Sequence, residues 1–363
     1  MKRLLRMAIL GLALVAAGVV ATACLTSGCS TVGYYAQSVG GHLAMVGAAR
    51  PVPDWLADPQ TPEPLKARLA LSQRMRDFAV RELRLPDNAS YRRFADLKRP
   101  AAVWNVVAAP ELSLTLQTWC FPVLGCVGYR GYFDRAEAVA FGDELKARGL
   151  EVSIYGVPAY STLGRLPGDW LADPLLNTFI QYPEGELARL IFHELAHQVA
   201  YAADDTEFNE SFATAVERLG GRRWLATQAG EAAREEYEAF DARRQEFRAL
   251  TLSYRNRLDA VYRGSAPDDD KRREKSALMA QLRAEHATLK AGRWGGFAGY
   301  DPWFERANNA AFGVLAAYNA RVPEFERLFE REGRDFERFY AAVRRLAALP
   351  KAERQAALTA TGE

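Results

Sequence analysis

The segment "LIFHELAHQVAY", residues 190–201, places polar side chains in an otherwise apolar stretch. The chain has only four histidines, and two of them, His193 and His197, lie here with Glu194 between them. Positions four apart are separated by about 40° around a helix axis, so the two imidazoles would share one face. Apolar residues occupy most of the remaining circumference, which indicates a buried helix.

Polar groups in such a helix need partners, because burying one without a partner costs roughly 1–3 kcal/mol. A metal ion can be that partner for His193 and His197. The pattern His-Glu-x-x-His on a helix is typical of zinc peptidases, in which two imidazoles bind the ion and the glutamate, here Glu194, handles a proton.

The next segment, "DDTEFNESFATAVERLGG" (residues 204–221), has the pattern of a second helix. Asp205 or Thr206 can cap its start, and we expect Gly220–Gly221 to end it. A short turn between the two helices would bring the second one alongside the histidines.

A third ligand is expected on this second helix, because a catalytic zinc site uses three protein ligands and leaves one position for water. Glu210 is the candidate. Glu217 lies seven residues further on, on nearly the same face, where it could orient a ligand by hydrogen bonding. The alternative for Glu217 is a surface carboxylate paired with an arginine.

Together the two helices resemble a known family. "HELAHQ" followed by "FNESFATAVE" resembles the bacterial putative aminopeptidase family, which is similar to HExxH zinc metallopeptidases of the gluzincin type. The resemblance implies one zinc ion per chain, held by His193, His197 and Glu210, with Glu194 as general base. In the thermolysin-like pattern an Asp lies four residues after the ligand glutamate, whereas this chain has Thr214 there. The similarity extends to four more segments, "SGCSTVGYYAQSVGGHL", "TWCFPVLGCVGYRGYF", "YGVPAYSTLG" and "NNAAFGVLAAYNARVPEF".

Peptide hydrolysis develops an oxyanion that needs a second stabiliser, commonly a Tyr, His or Arg. Tyr318, in the last of these segments, is the candidate, and the alternative is a tyrosine of the core. Tyr155 and Tyr160 lie in a strand and loop before the motif helix. That strand could pair with an extended peptide, or its tyrosines could be structural.

The first 28 residues have the pattern of a secretory signal peptide, with three basic residues, an apolar run and then small residues. "LTSGCS" fits a lipobox with Cys29 as lipid acceptor, so we expect a lipoprotein on the periplasmic side of the bacterial cell envelope. By resemblance to other lipoproteins, Ser30 suggests the outer membrane. A plain transmembrane anchor is the alternative.

Residues 29–363 are expected to form one α+β, mainly helical metallopeptidase domain. Small β-rich runs at 103–110, 126–133 and 151–157 precede the motif helix. Residues 222–290 carry apolar residues every seven positions and predict an inserted helical hairpin packed along a seam. This arm could be structural, or it could dock a partner or restrict the substrate.

Two cysteines follow Cys29, namely Cys120 and Cys126. We expect a disulfide between them in an oxidising compartment, and two buried thiols are the alternative. The formal net charge of +2 predicts no nucleic-acid partner.

The sequence therefore predicts a zinc-dependent peptidase that acts on peptide substrates and is, by family resemblance, an aminopeptidase. The alternatives are a zinc amidase acting on cell-wall peptides and a non-catalytic zinc-binding lipoprotein. Glu194 discriminates between enzyme and binder, because a structural zinc site has no need of a non-ligand carboxylate and is usually closed by a fourth protein ligand.

Overall fold

The computed structural model describes residues 29–121, 125–161, 169–203, 205–317 and 321–360. The expected signal peptide at 1–28 and the candidate Tyr318 lie outside the described residues.

Thirteen helices carry most of the described chain. They are α1 (Cys29–Gly47), α2 (Val52–Ala57), α3 (Glu63–Arg81), α4 (Arg135–Ala147), α5 (Glu184–Ala196), α6 (Thr206–Thr227), α7 (Glu231–Arg263), α8 (Asp268–Ala291), α9 (Asp301–Glu305), α10 (Asn309–Ala317), α11 (Val322–Arg331), α12 (Phe336–Ala347) and α13 (Lys351–Ala360).

The described strands are short and form three small sheets. They are β1 (Arg50–Pro51), β2 (Arg93–Ala95), β3 (Val103–Pro110), β4 (Trp119–Phe121), β5 (Gly125–Val127), β6 (Arg130–Tyr132), β7 (Leu150–Val157) and β8 (Leu175–Leu176). The sheet orders are β1-β2-β8, β6-β3-β7 and β4-β5. The predicted α+β, mainly helical fold class is confirmed.

The central sheet has β3 in its middle, paired antiparallel with β6 and along its whole length with β7. Because side chains alternate between the faces of a strand, β3 contributes side chains to two separate hydrophobic cores. Val106 and Ala108 pack with residues of α4, whereas Val107 and Ala109 pack against Ala310 of α10. Helices therefore cover this sheet on both faces.

Helix α5 lies in the largest core, as its apolar circumference predicts. Leu187, Ile191, Phe192 and Leu195 are completely buried, and Phe192 stacks on Phe78 of α3. Helix α6 packs along α5, and this pair forms the most extensive helix–helix contact of the described fold.

Helix α6 continues for six residues beyond Gly221, so the expectation that Gly220–Gly221 ends it is wrong. Both glycines are buried against neighbouring elements. A Cβ at position 220 would lie 2.6 Å from Leu83 Cδ1 and 2.9 Å from Phe192 Cδ2. A Cβ at position 221 would lie 2.7 Å from Arg189 Cγ. The pair permits close packing of α6 on α5 instead of terminating the helix.

The predicted hairpin consists of α7 and α8, while residues 222–227 belong to α6. Phe247, Tyr254, Leu278 and Leu282 are buried along its seam. Its helices also contact the rest of the molecule, including α5 and the described helices α9 and α10. None of the described helices combines the length and hydrophobicity required to cross a membrane.

Replacing Gly220 with Ala tests this packing. Alanine favours a helix by up to about 1 kcal/mol, whereas overpacking costs about 1–3 kcal/mol. We expect Gly220→Ala to lower the free energy of unfolding by up to about 2 kcal/mol. Gly40→Ala is the matched control, because a Cβ there meets nothing within 4 Å and should leave stability equal or higher. Denaturant unfolding measures both, and equal stability of the two variants would contradict the packing role.

Candidate active site

Three potential ligand atoms converge where α5 and α6 face each other. Nε2 of His193 lies 3.2 Å from Nε2 of His197 and 3.3 Å from Oε2 of Glu210. Nε2 of His197 lies 3.6 Å from the same Glu210 oxygen. The structure thus brings together the three residues that the sequence selected, as a group that could hold a metal ion.

The connection between α5 and α6 is tight because polar side chains hold it. Asn209 accepts from the amide of Ala202 and donates to its carbonyl, both at 2.8 Å. Asp205 caps α6 by accepting from the amide of Phe208 at 3.2 Å, and it pairs with buried Arg354 at 2.6 Å. These contacts place the first turns of α6, with Glu210, opposite the end of α5.

The triangle fits a tetrahedral metal ion. Ligand atoms about 2.0–2.1 Å from such an ion lie about 3.3 Å apart, which is close to the three observed separations. Burial raises the pKa of Glu210, but the adjacent imidazoles of His197 and His193 outweigh burial and hold that pKa well below its usual range. Glu210 is therefore a charged carboxylate suited to a cation.

Glu217 holds the first of the two histidines. Its Oε2 accepts a hydrogen bond from Nδ1 of His193 at 2.9 Å, which leaves Nε2 directed at the triangle. Its other oxygen pairs with Arg189, so Glu217 both orients the imidazole of His193 and pairs with an arginine, and its side chain is 15% exposed. Burial raises the pKa of Glu217, but Arg189 and His193 outweigh it and bring it to about 2. In the described structure Nδ1 of His197 has no such partner.

The α7–α8 hairpin supplies part of the remaining charge around Arg189. Nη1 of Arg189 lies 3.7 Å from Glu186 and 3.6 Å from Asp241 of α7. Arg244, also on α7, binds Glu186 and Asp241, each at 2.7 Å. The predicted arm thus contributes directly to the charge network behind His193.

Glu194 lies in the cavity beside the triangle, but it is not part of the triangle. Burial is the largest influence on its pKa and raises it, although His193 and His197 partly oppose the shift. The Ser161 hydroxyl is within hydrogen-bonding reach of Glu194 and donates to Oδ2 of Asp173 at 3.2 Å. Sequence reasoning missed Ser161 and Asp173, because neither has motif spacing to the histidines.

A cavity of about 520 Å³ opens at these residues. Its walls come from α1, the central sheet, the β4–β5 pair and helices α5 and α6. Six aromatic side chains line it, namely Tyr34, Phe121, Tyr129, Phe133, Tyr160 and Tyr201. The cavity is therefore suited to an apolar or aromatic group placed beside Glu194.

Tyr155 and Tyr160, which precede the motif helix in the sequence, lie in different parts of the structure. Tyr160 lines the cavity and contacts Phe133, with the ring centroids 5.1 Å apart, whereas Tyr155 packs with the core on the α10 side of the sheet. Burial raises the pKa of each to about 12, although a hydrogen bond with Asn105 opposes the shift at Tyr155. Both are neutral phenols at physiological pH.

Cys120 and Cys126 form a disulfide and occupy directly opposite positions of β4 and β5. The bond links β4 and β5 covalently, and Phe121 of β4 and Val127 of β5 line the cavity. Cys29 is the first residue of α1.

A family model described as "Putative aminopeptidase" matches residues 33–358. Comparison with curated proteins and with solved structures finds no match. The matched range includes both helices of the site, the cavity walls and the hairpin.

The role of Glu217 can be measured as metal affinity. We expect Glu217→Gln to weaken binding of Zn²⁺ by about 10–100-fold, because loss of its charge makes the imidazole of His193 a poorer ligand. Glu207→Gln is the matched control, since Glu207 lies on the same helix and pairs with Arg321 at 2.6 Å. Competition with a chelator gives the affinities, and equal dissociation constants for the two variants would refute the assignment.

Proposed function

The chain belongs to the putative aminopeptidase family, and from this premise we propose that it is a zinc-dependent aminopeptidase. The observation that carries the proposal is the triangle of His193, His197 and Glu210 with Glu194 beside it in one cavity. The family supports peptide hydrolysis, and the geometry supports a metal-assisted route to it.

We assign one Zn²⁺ per chain to the triangle. Two imidazole nitrogens and one carboxylate oxygen form a donor set typical of catalytic zinc, with a fourth position left for water. When bound there, zinc lowers the pKa of water towards about 7 and polarises the scissile carbonyl.

Glu194 performs the proton transfers in this proposal. Its carboxylate takes a proton from the attacking water as the water oxygen bonds to the carbonyl carbon. It then delivers that proton to the departing amine nitrogen as the carbon–nitrogen bond breaks, which regenerates the carboxylate. Burial raises the pKa of Glu194 towards the operating pH, where acid–base catalysis is most effective.

Tyr318 remains our candidate for stabilising the oxyanion. Its place in the chain supports this role. Tyr318 comes three residues before Arg321, whose amide donates to Oγ of Ser211 at 3.3 Å, and Ser211 follows Glu210 directly in α6.

Cleavage at the amino end of a peptide is supported by the family, and the size of the cavity is compatible with it. The volume of about 520 Å³ is in the range of small-molecule sites, and elements from several parts of the chain line the cavity. Its aromatic lining favours an apolar or aromatic terminal side chain.

We also propose that the protein is tethered by a lipid at Cys29 on the periplasmic side of the envelope, in the outer membrane. The lipobox-like segment before Cys29 supports this, and a disulfide between Cys120 and Cys126 fits an oxidising compartment.

Glu194→Gln separates catalysis from metal binding. The neutral amide is no harder to bury than a charge, so the fold and bound zinc should survive. Peptide turnover should fall at least about a hundredfold, because general acid–base assistance is typically worth 10²–10⁴. Glu184→Gln on the same helix is the control, since Gln can still accept from the Trp224 indole that Glu184 binds at 2.9 Å. Undiminished turnover in zinc-loaded Glu194→Gln would mean that another group is the base.

Terminal specificity can be read from acetylated peptides. We expect release of one residue at a time from short peptides with a free amino end and an apolar or aromatic first side chain. Acetylating that amino group should abolish the release. Mass spectrometry of the products gives the cleavage points, and internal cleavage of an acetylated peptide would show an endopeptidase. A zinc-loaded wild type that cuts no peptide would favour the non-catalytic alternative.

A further inference from the structure

Helix α1 has an outer face without charge. Residues 7–49 contain no Asp, Glu, Lys or Arg. Tyr35, Val39 and Leu43 follow one another at a spacing of four, within an arc of about 80° on the helix. All three are exposed, with Val39 at 59%. The described part of the chain has six exposed large hydrophobic side chains, with exposures from 37% to 59%, and three of them form this stripe.

Three polar residues of α1, namely Gln37, Ser38 and His42, face the protein instead. Gln37 donates to the carbonyl of Gly131 at 3.2 Å and accepts from the amide of Phe133 at 3.0 Å. His42 is buried, and Ser38 lines the cavity. A surface helix of a globular protein normally turns an apolar stripe to the core and polar residues to water. Met45 and Val46 of α1 are buried in the core as expected, but the outer face of α1 is apolar as well.

Trp170 is a further exposed apolar side chain in an element next to α1. It is 58% exposed and belongs to a short 3₁₀ helix, Asp169–Leu171, that contacts α1. Arg93 ties the two together by donating to the carbonyl of Val46 at 3.1 Å and to that of Trp170 at 2.8 Å. Tryptophan is enriched where proteins meet a bilayer interface, because its ring is apolar and its N–H is polar.

We propose that Tyr35, Val39, Leu43 and Trp170 form a membrane-facing surface that lies on the lipid bilayer. The chain before α1 identifies this occupant. Residues 7–28 are uncharged and predominantly apolar, and they end where α1 begins. Whether Cys29 carries a lipid or the apolar run is itself the anchor, the start of α1 lies at the membrane. An apolar helix face held at the membrane is buried in the boundary between the lipid headgroups and the acyl chains.

This surface rests on the membrane tether proposed above and is independent of peptidase activity. It also fixes where the cavity lies. Tyr34 and Ser38, on the inner side of α1, line the cavity. The cavity is therefore about one helix diameter, ~10 Å, from the lipid.

The test uses the full-length protein reconstituted in vesicles of phosphatidylethanolamine and phosphatidylglycerol. A nitroxide is attached to Val39→Cys or, as a matched control, to Leu252→Cys, since Leu252 is a hydrophobic residue on α7 of similar exposure, 54% against 59%. We expect collisions with oxygen, relative to those with a water-soluble nickel chelate, to be severalfold higher at position 39 than at position 252.

The outcomes separate the proposals. Protein that floats with the vesicles but shows equal ratios at the two positions would overturn the membrane-facing surface and leave the tether intact. Protein that does not float would overturn both. Shielding of the Val39 label from both reagents, with spin–spin broadening, would show that a second copy of the chain covers the face and would overturn the lipid assignment.

A second measurement needs no label. Brominated phospholipid should quench part of the tryptophan fluorescence of the wild type in vesicles, and Trp170→Phe should lose that quenched part. Trp170 is exposed, so the substitution leaves the core unchanged. Quenching of equal size in the two proteins would count against the surface.

Discussion

The carboxylate of Glu217 is shared between the Nδ1 nitrogen of His193 and the guanidinium of Arg189, and the orientation of the His193 imidazole depends on it. Arg189 is itself buried, with 4% of its side chain exposed, so it needs more than one carboxylate nearby. Glu186 on its own helix and Asp241 on the hairpin meet that need. Removing one member of a buried pair costs about 3–5 kcal/mol, because an uncompensated charge remains. The hairpin is therefore electrostatically part of the site.

The close approach of α5 and α6 is the second constraint. Gly220 and Gly221 let α6 lie against Phe192 and Arg189 without steric conflict. The same approach brings Glu210 to the histidines at one end of the helix pair and Glu217 to His193 further along. The contact between α5 and α6 therefore determines both the packing of their backbones and the positions of Glu210 and Glu217.

Much of the site could be predicted from sequence because its spacing is local. His193, Glu194 and His197 lie on one helix, and Glu210 lies on the next, so helical periodicity and a short turn suffice to group them. The role of Gly220–Gly221 could not be predicted, since it depends on Leu83 in a distant segment. The proximity of Ser161 to Glu194, the hydrogen bond from Ser161 to Asp173 and the link from Asp241 to Arg189 are not local in sequence either. In each case the tertiary fold brings the two residues together, and no local sequence pattern indicates that they will be neighbours.

The proposed chemistry requires that His193, His197 and Glu210 hold a zinc ion while Glu194 stays free of it. Anomalous X-ray diffraction from crystals of the protein, recorded on both sides of the zinc absorption edge, tests this most directly. We predict one anomalous peak per chain, about 2.0–2.1 Å from Nε2 of each histidine and from a carboxylate oxygen of Glu210. A peak at another place, or one with Glu194 among its ligands, would contradict this assignment.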